Sequence, residues 1–209
     1  MRAQPPLWAR GRARHLPVAL AAAAVIGSYV GVRTGAVDDL DRRLGRRLAR
    51  PTPRRSDVPL GVGTDLGSSF GLAGVTAGLA VTGHRRLAGE VAAAGTAAWV
   101  LAQAIKPALG RARPFETDTA PRLVAAPAGS SWPSGHAAVA AAMARCVAAG
   151  STVPAGLVAA GAAATVGASR IAVGVHHLSD VVAGAGVGVL AAALAEAIHE
   201  RSRRWITTR

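Results

Sequence analysis

Six apolar runs, each close to the thickness of a lipid bilayer, set the limits on what this chain can fold into. A helix needs about 20 apolar residues to cross the hydrocarbon core, and runs of that order fall at 16–32, 58–82, 87–105, 132–149, 154–171 and 178–198. They are built from Ala, Val, Leu and Gly, and only 3% of the chain is aromatic. Small side chains let helix backbones approach one another in lipid. Gly150-Ser151-Thr152-Val153-Pro154 separates the fourth run from the fifth with turn formers and a proline. The first run follows Arg10, Arg12 and Arg14 as a secretory signal would, but its Gly27-Ser28-Tyr29 end offers no small-x-small cleavage site. It is read as an uncleaved anchor. The expected architecture is all-α: one six-transmembrane-helix domain over 16–200, between a basic cytoplasmic tail at 1–15 and a second basic tail at 201–209.

The connector between the first two runs has its own pattern. In the segment 38–48, Leu40, Leu44 and Leu48 recur every four residues with Arg42, Arg43, Arg46 and Arg47 between them. A helix there has one apolar stripe and a basic remainder, which suits the membrane interface. It either gathers anionic lipid beside a site or serves as a solvated connector, the commoner fate of a charge run.

Three polar clusters stand at the edges of the apolar runs. The first is Lys106 with Arg113-Pro114, the second Pro133-Ser134-Gly135-His136, and the third Ser169-Arg170 followed by His176 and Asp180. With six spans, all three fall on one face of the membrane. Three permanent cations can neutralise a phosphate ester, whose transfer depends on positioning and charge more than on covalent help from the protein. Arginine offers a planar fork and lysine a mobile point charge. Ser134 and Gly135 open a helix, where free backbone N–H groups favour an anion. His176 and Asp180, four residues apart, share a helical face. The carboxylate can hold one imidazole nitrogen and leave the other to attack phosphorus. His136 is then the general acid for the departing oxygen and the base that activates water.

Read as Lys-x6-Arg-Pro, Pro-Ser-Gly-His and Ser-Arg-x5-His-x3-Asp, the clusters resemble the three-part signature of the type 2 phosphatidic acid phosphatase (PAP2) superfamily, present in order and without a substitution. The resemblance implies a PAP2/haloperoxidase-like helical bundle and a metal-independent phosphatase with no cofactor. It also implies a phosphohistidine intermediate, with His176 as nucleophile, Asp180 as its partner and His136 as acid. Lys106, Arg113, Ser134, Gly135 and Arg170 would form the phosphate pocket. The site is expected on the extracytoplasmic face of the cell membrane because the family's bacterial members place it there. Charge decides little, since eleven of the 24 Lys and Arg residues fall on the side of the termini and thirteen on the other.

Other residues fit less well. His177 is three residues from Asp180, out of register, and is expected beside the pocket. Arg111 is read as a solvated loop cation more readily than a substrate contact. Asp65 in the second run either caps a helix or pairs with an arginine. His15, His84 and His199 sit in basic flanks, and the single Cys146 permits no intrachain disulfide. A net charge of +13 raises nucleic-acid binding, but dispersed arginines with few aromatics speak against a nucleic-acid partner. A non-catalytic transport or scaffold protein would be expected to have degraded motifs. The related vanadium haloperoxidases are soluble and larger. The expected partners are the bilayer and a lipid phosphate, an isoprenyl diphosphate such as undecaprenyl diphosphate first and phosphatidic acid-type lipids next. No feature speaks to oligomeric state.

Overall fold

A computed structural model describes residues 7–49, 63–117 and 122–207. Among these every regular element is helical. The order is α1 (Leu7–Thr34), α2 (Asp38–Leu48), α3 (Ser69–Val81), α4 (Arg85–Ile105), α5 (Gly135–Gly150), α6 (Val153–Ala172) and α7 (Leu178–Thr207), with 3-10 turns at Lys106–Ala108 and Pro114–Glu116.

Four of the six expected spans appear as helices long and apolar enough to cross a membrane, at His15–Thr34, Arg85–Ala108, Val153–Ala172 and Leu178–His199. The other two runs give shorter helices, because each contains a capping serine. In the run 58–82, residues 58–62 lie outside the described residues, and Ser68 accepts from the Gly71 N–H at 3.2 Å to start a 13-residue α3. In the run 132–149, Ser134 takes the same place and α5 spans 16 residues. A serine whose oxygen satisfies a free N–H starts a helix there even inside an apolar stretch.

Helix α5 is central and packs on α4, α6 and α7, while α1 lies along α7 and α3 along α4. The core between α4, α5 and α7 is made of small residues, among them Ala94, Ala98, Ala138, Ala142 and Ala191. Where α7 crosses α5 even alanine is too large. A methyl group on Gly184 would run into the Ser134 carbonyl, and one on Gly188 into that of Ala138. Phe70, Val81, Val153 and Val158 point outward and are at least 73% exposed, as suits a bundle surrounded by lipid.

Helix α2 packs against α6 and α7. The leucine stripe read from the sequence stays half-exposed at Leu40 and Leu48, while Asp41 is the residue buried against the bundle, to 2%. The reason is polar: Ser179 and Arg111 offer Asp41 hydrogen bonds that no leucine could take.

Candidate active site

The bundle gathers the three clusters at one end. Lys106 follows the last turn of α4, Ser134 to His136 open α5, Arg170 ends α6, and His176 precedes α7, which carries Asp180 in its first turn. His136 lies within electrostatic range of Lys106, Arg113, Arg170 and His176, so the predicted residues share one site.

The three cations are committed to different degrees. Arg113 is buried to 1%; its Nε donates to Gly129 O, one terminal nitrogen to Val175 O at 2.9 Å, and the other to Ala128 O and Ser130 O. Four of its five N–H groups therefore hold backbone, and one is left. Burial pulls this guanidinium below its usual value, with Asp180 and Glu116 opposing. Lys106 Nζ donates to Ser130 O at 2.6 Å and to Pro133 O at 3.4 Å, bracing the approach to α5 and keeping a third proton. Arg170 is different. It is 3% exposed, its Nε is buried without a partner among the described residues, and only Asp65 supplies it with an attractive charge. A buried charge without hydrogen bonds is costly, so Arg170 is the cation most in need of an anionic partner.

Asp65 is itself exposed. The α3 cap is Ser68, and only the Asp65 backbone carbonyl takes part, accepting from Ser68. Among the described residues its side chain neither caps the helix nor pairs with an arginine, though its charge reaches Arg170.

His176 is 3% exposed. Its backbone N–H and that of Val175 both donate to Arg170 O, in a turn that carries the imidazole back toward the arginine. Burial pushes the imidazole down to about 4, the Asp180 carboxylate opposing and Arg170 adding to the fall. The side chain is thus neutral near pH 7, as a nucleophile must be. Its Nδ1 faces Asp180 Oδ2 at 3.6 Å and has no other partner. That separation exceeds a hydrogen bond, and catalytic hydrogen bonds often tighten only around substrate.

Asp180 is fully buried. One oxygen accepts from Arg111 at 2.7 Å, the other from the His177 backbone N–H at 2.8 Å, and its carbonyl accepts from Ser134 N at 3.0 Å. The expectation for Arg111 is corrected here. It is neither solvated nor turned to substrate, but bridges Asp180 and Asp41 with a side chain only 11% exposed. Burial alone would lower it, yet the two carboxylates hold it above its ordinary value. His177 keeps its place beside the pocket, with burial pulling its imidazole down against Asp180.

Sequence reasoning missed Asp41, Ser28 and Ser179. Ser28, in the middle of an apolar helix, accepts from Trp132 Nε1 at 3.0 Å and donates to Ser179 O at 2.8 Å. A lone serine in an apolar run and one aspartate in an acidic first turn were the only signals. Elsewhere, a cavity of about 760 Å³ opens at the opposite end of α4, α5 and α7, lined by His84, Arg85, Arg145, Glu196 and His199, and it contains none of the predicted site residues.

The family model for the PAP2 superfamily matches residues 87–204. Among solved structures the chain resembles a transmembrane PAP2 type phosphatidylglycerolphosphate phosphatase from Bacillus subtilis, with 23% identity and a TM-score of 0.71 over 88% of this chain and 96% of that one. It also resembles LpxE from Aquifex aeolicus, with 23% identity and a TM-score of 0.67 over 75% of this chain and 94% of that one. These likenesses concern the fold. No curated protein matches the chain.

Proposed function

Because the chain belongs to the PAP2 superfamily, we propose that it is an integral-membrane phosphatase that removes phosphate from a lipid phosphomonoester or diphosphate through a phosphohistidine. One observation carries this reading. A buried Arg170, its Nε without a hydrogen-bonding partner among the described residues, stands beside a buried, neutral His176 whose far nitrogen faces Asp180.

The proposed steps balance as follows. Nε2 of His176 forms a bond to phosphorus while the bond from phosphorus to the lipid-side oxygen breaks. His136 gives that oxygen its proton. Positive charge on the phosphorylated imidazole, carrying Nδ1–H, is met by Asp180. Water then attacks phosphorus and loses a proton to His136, and the P–N bond breaks to free phosphate and neutral His176. Arg170, Lys106, the remaining N–H of Arg113 and the N-terminus of α5 at Ser134 and Gly135 neutralise the phosphate oxygens throughout.

An isoprenyl diphosphate such as undecaprenyl diphosphate is the favoured substrate, with phosphatidic acid-type lipids next. The similarity to a phosphatidylglycerolphosphate phosphatase adds that headgroup to the test. The same reading has all six apolar runs in the membrane, α2 at its interface, and the site facing away from the cytoplasm, as in the superfamily's bacterial members.

The test is phosphate release by detergent-purified protein with EDTA present, from the three lipids in parallel. Release is expected from at least one, and His176→Ala should lower it by about four orders of magnitude or more, as loss of a nucleophile does. Full activity in that variant would remove His176 from its role, and dependence on added magnesium would contradict a pocket neutralised by side chains.

A further inference from the structure

Around Asp180 the polar contacts close into a ring that reaches outside the three motifs. Asp41 Oδ1 accepts from Ser179 N at 3.0 Å, and its Oδ2 from Ser179 Oγ at 2.5 Å and Arg111 at 2.8 Å. Arg111 donates in turn to Ser179 Oγ at 2.6 Å and Asp180 Oδ1 at 2.7 Å. Asp41, Ser179 and Asp180 are each 7% exposed or less. The ring joins residues 138 positions apart in sequence.

Its charges do not cancel. One guanidinium lies between two buried carboxylates, and a third, Asp38, stands 4.0 Å from it. Arg111 holds Asp180 Oδ1, and the His177 N–H holds Oδ2. Together they fix both carboxylate oxygens, so that Oδ2 is presented to His176 Nδ1. Arg111 is oriented by Asp41, and its backbone is fixed by Ser130 Oγ at 2.9 Å and by Ser131 N–H, which donates to its carbonyl at 2.9 Å. Without Asp41 the arginine would keep Asp180 and, at 4.0 Å, the half-exposed Asp38, which could draw it away from Asp180 Oδ1. A displacement of about 1 Å in a catalytic group can cost roughly 100-fold in rate.

We propose that Asp41 and Arg111 are positioning residues for the phosphoryl transfer, the α2 carboxylate orienting Arg111 and Arg111 aiming Asp180 at His176. This rests on the phosphatase reading above. Neither residue touches the phosphate. Helix α2 thereby becomes part of the machinery, since its seat on α6 and α7 sets the angle of Arg111.

The experiment compares Asp41→Asn, Arg111→Lys and the outward-facing Arg43→Gln as full-length proteins in detergent, with kcat and KM measured per folded molecule after gel filtration. Asp41→Asn keeps the shape and removes the charge. Its kcat should fall roughly 10- to 100-fold with KM changed less than about threefold, a split that marks loss of transition-state alignment over binding. Arg111→Lys, which keeps a charge that reaches one carboxylate, should be intermediate, and Arg43→Gln should match wild type. An Asp41→Asn kcat within about twofold of wild type would overturn the proposal, as would a loss accounted for by unfolded protein. If wild type releases no phosphate, the functional reading fails separately, and hydrogen exchange decides the link. Faster exchange at the Ser179 and His177 amides in Asp41→Asn would keep it, and unchanged protection would remove it.

Discussion

Residue by residue, the three cations of the proposed site differ in how far the protein itself engages them, and the difference has measurable consequences. Arg170 Nε is buried without a hydrogen-bonding partner among the described residues, so Arg170→Gln should leave melting temperature nearly unchanged and cut kcat/KM by roughly 100-fold or more, in the range for loss of one preorganised donor. Arg113 satisfies four backbone carbonyls. Arg113→Gln should lower stability by about 2 kcal/mol or more, since buried carbonyls lose their donors, and thermal unfolding in detergent would separate the two variants. His176 adds a pH dependence. Its folded value of about 4 lies below the unfolded value near 6.5. Between those values the unfolded chain binds the extra proton, so stability is full above about pH 6.5 and falls as pH drops toward 4. The ceiling is about 3 kcal/mol, from roughly 1.4 kcal/mol per unit. Melting at pH 7 and pH 5 should therefore differ, and by less in His176→Asn, where that proton is gone.

At the scale of elements, close contact between α5 and α7 fixes the site. Gly188 meets the Ala138 backbone directly, so Gly188→Val should separate the two helices and with them Ser134 from Asp180, whose backbones are bonded at 3.0 Å. We expect loss of most activity and of several degrees in melting temperature, at the high end of the costs of overpacking. A variant that melts and turns over like wild type would show that the helices tolerate the gap. The long apolar helices were legible in the sequence because α1, α4, α6 and α7 answer to run length; the shared helical face expected of His176 and Asp180 was not met, since His176 lies in the turn before α7 with its Nδ1 3.6 Å from the carboxylate. The start of α5 at Ser134 was read from the sequence as well, but that of α3 was not, because a serine acts as a cap only once the chain has turned before it. The burial of Asp41 in α2 was not legible for a related reason. Its leucine repeat is local, but what buries Asp41 is supplied by residues 70 and 138 positions away.

For the whole molecule, the match to the superfamily begins at residue 87, whereas Ser28 and Asp41 lie before it and still bond Ser179, beside Asp180. A chain is synthesised from its N-terminus. Asp41 is therefore made first, Arg111 second and Asp180 last, on the final helix. Until that helix is in place, Arg111 lacks the carboxylate of Asp180, and His176 has no Asp180 to face. A ribosome that stalls before Ser179 leaves in the membrane a protein with most of its helices and two of its three motifs, but without the contacts that join its beginning to its end. The ring can close only after Ser179 and Asp180 have been made, however early Asp41 takes up its helix.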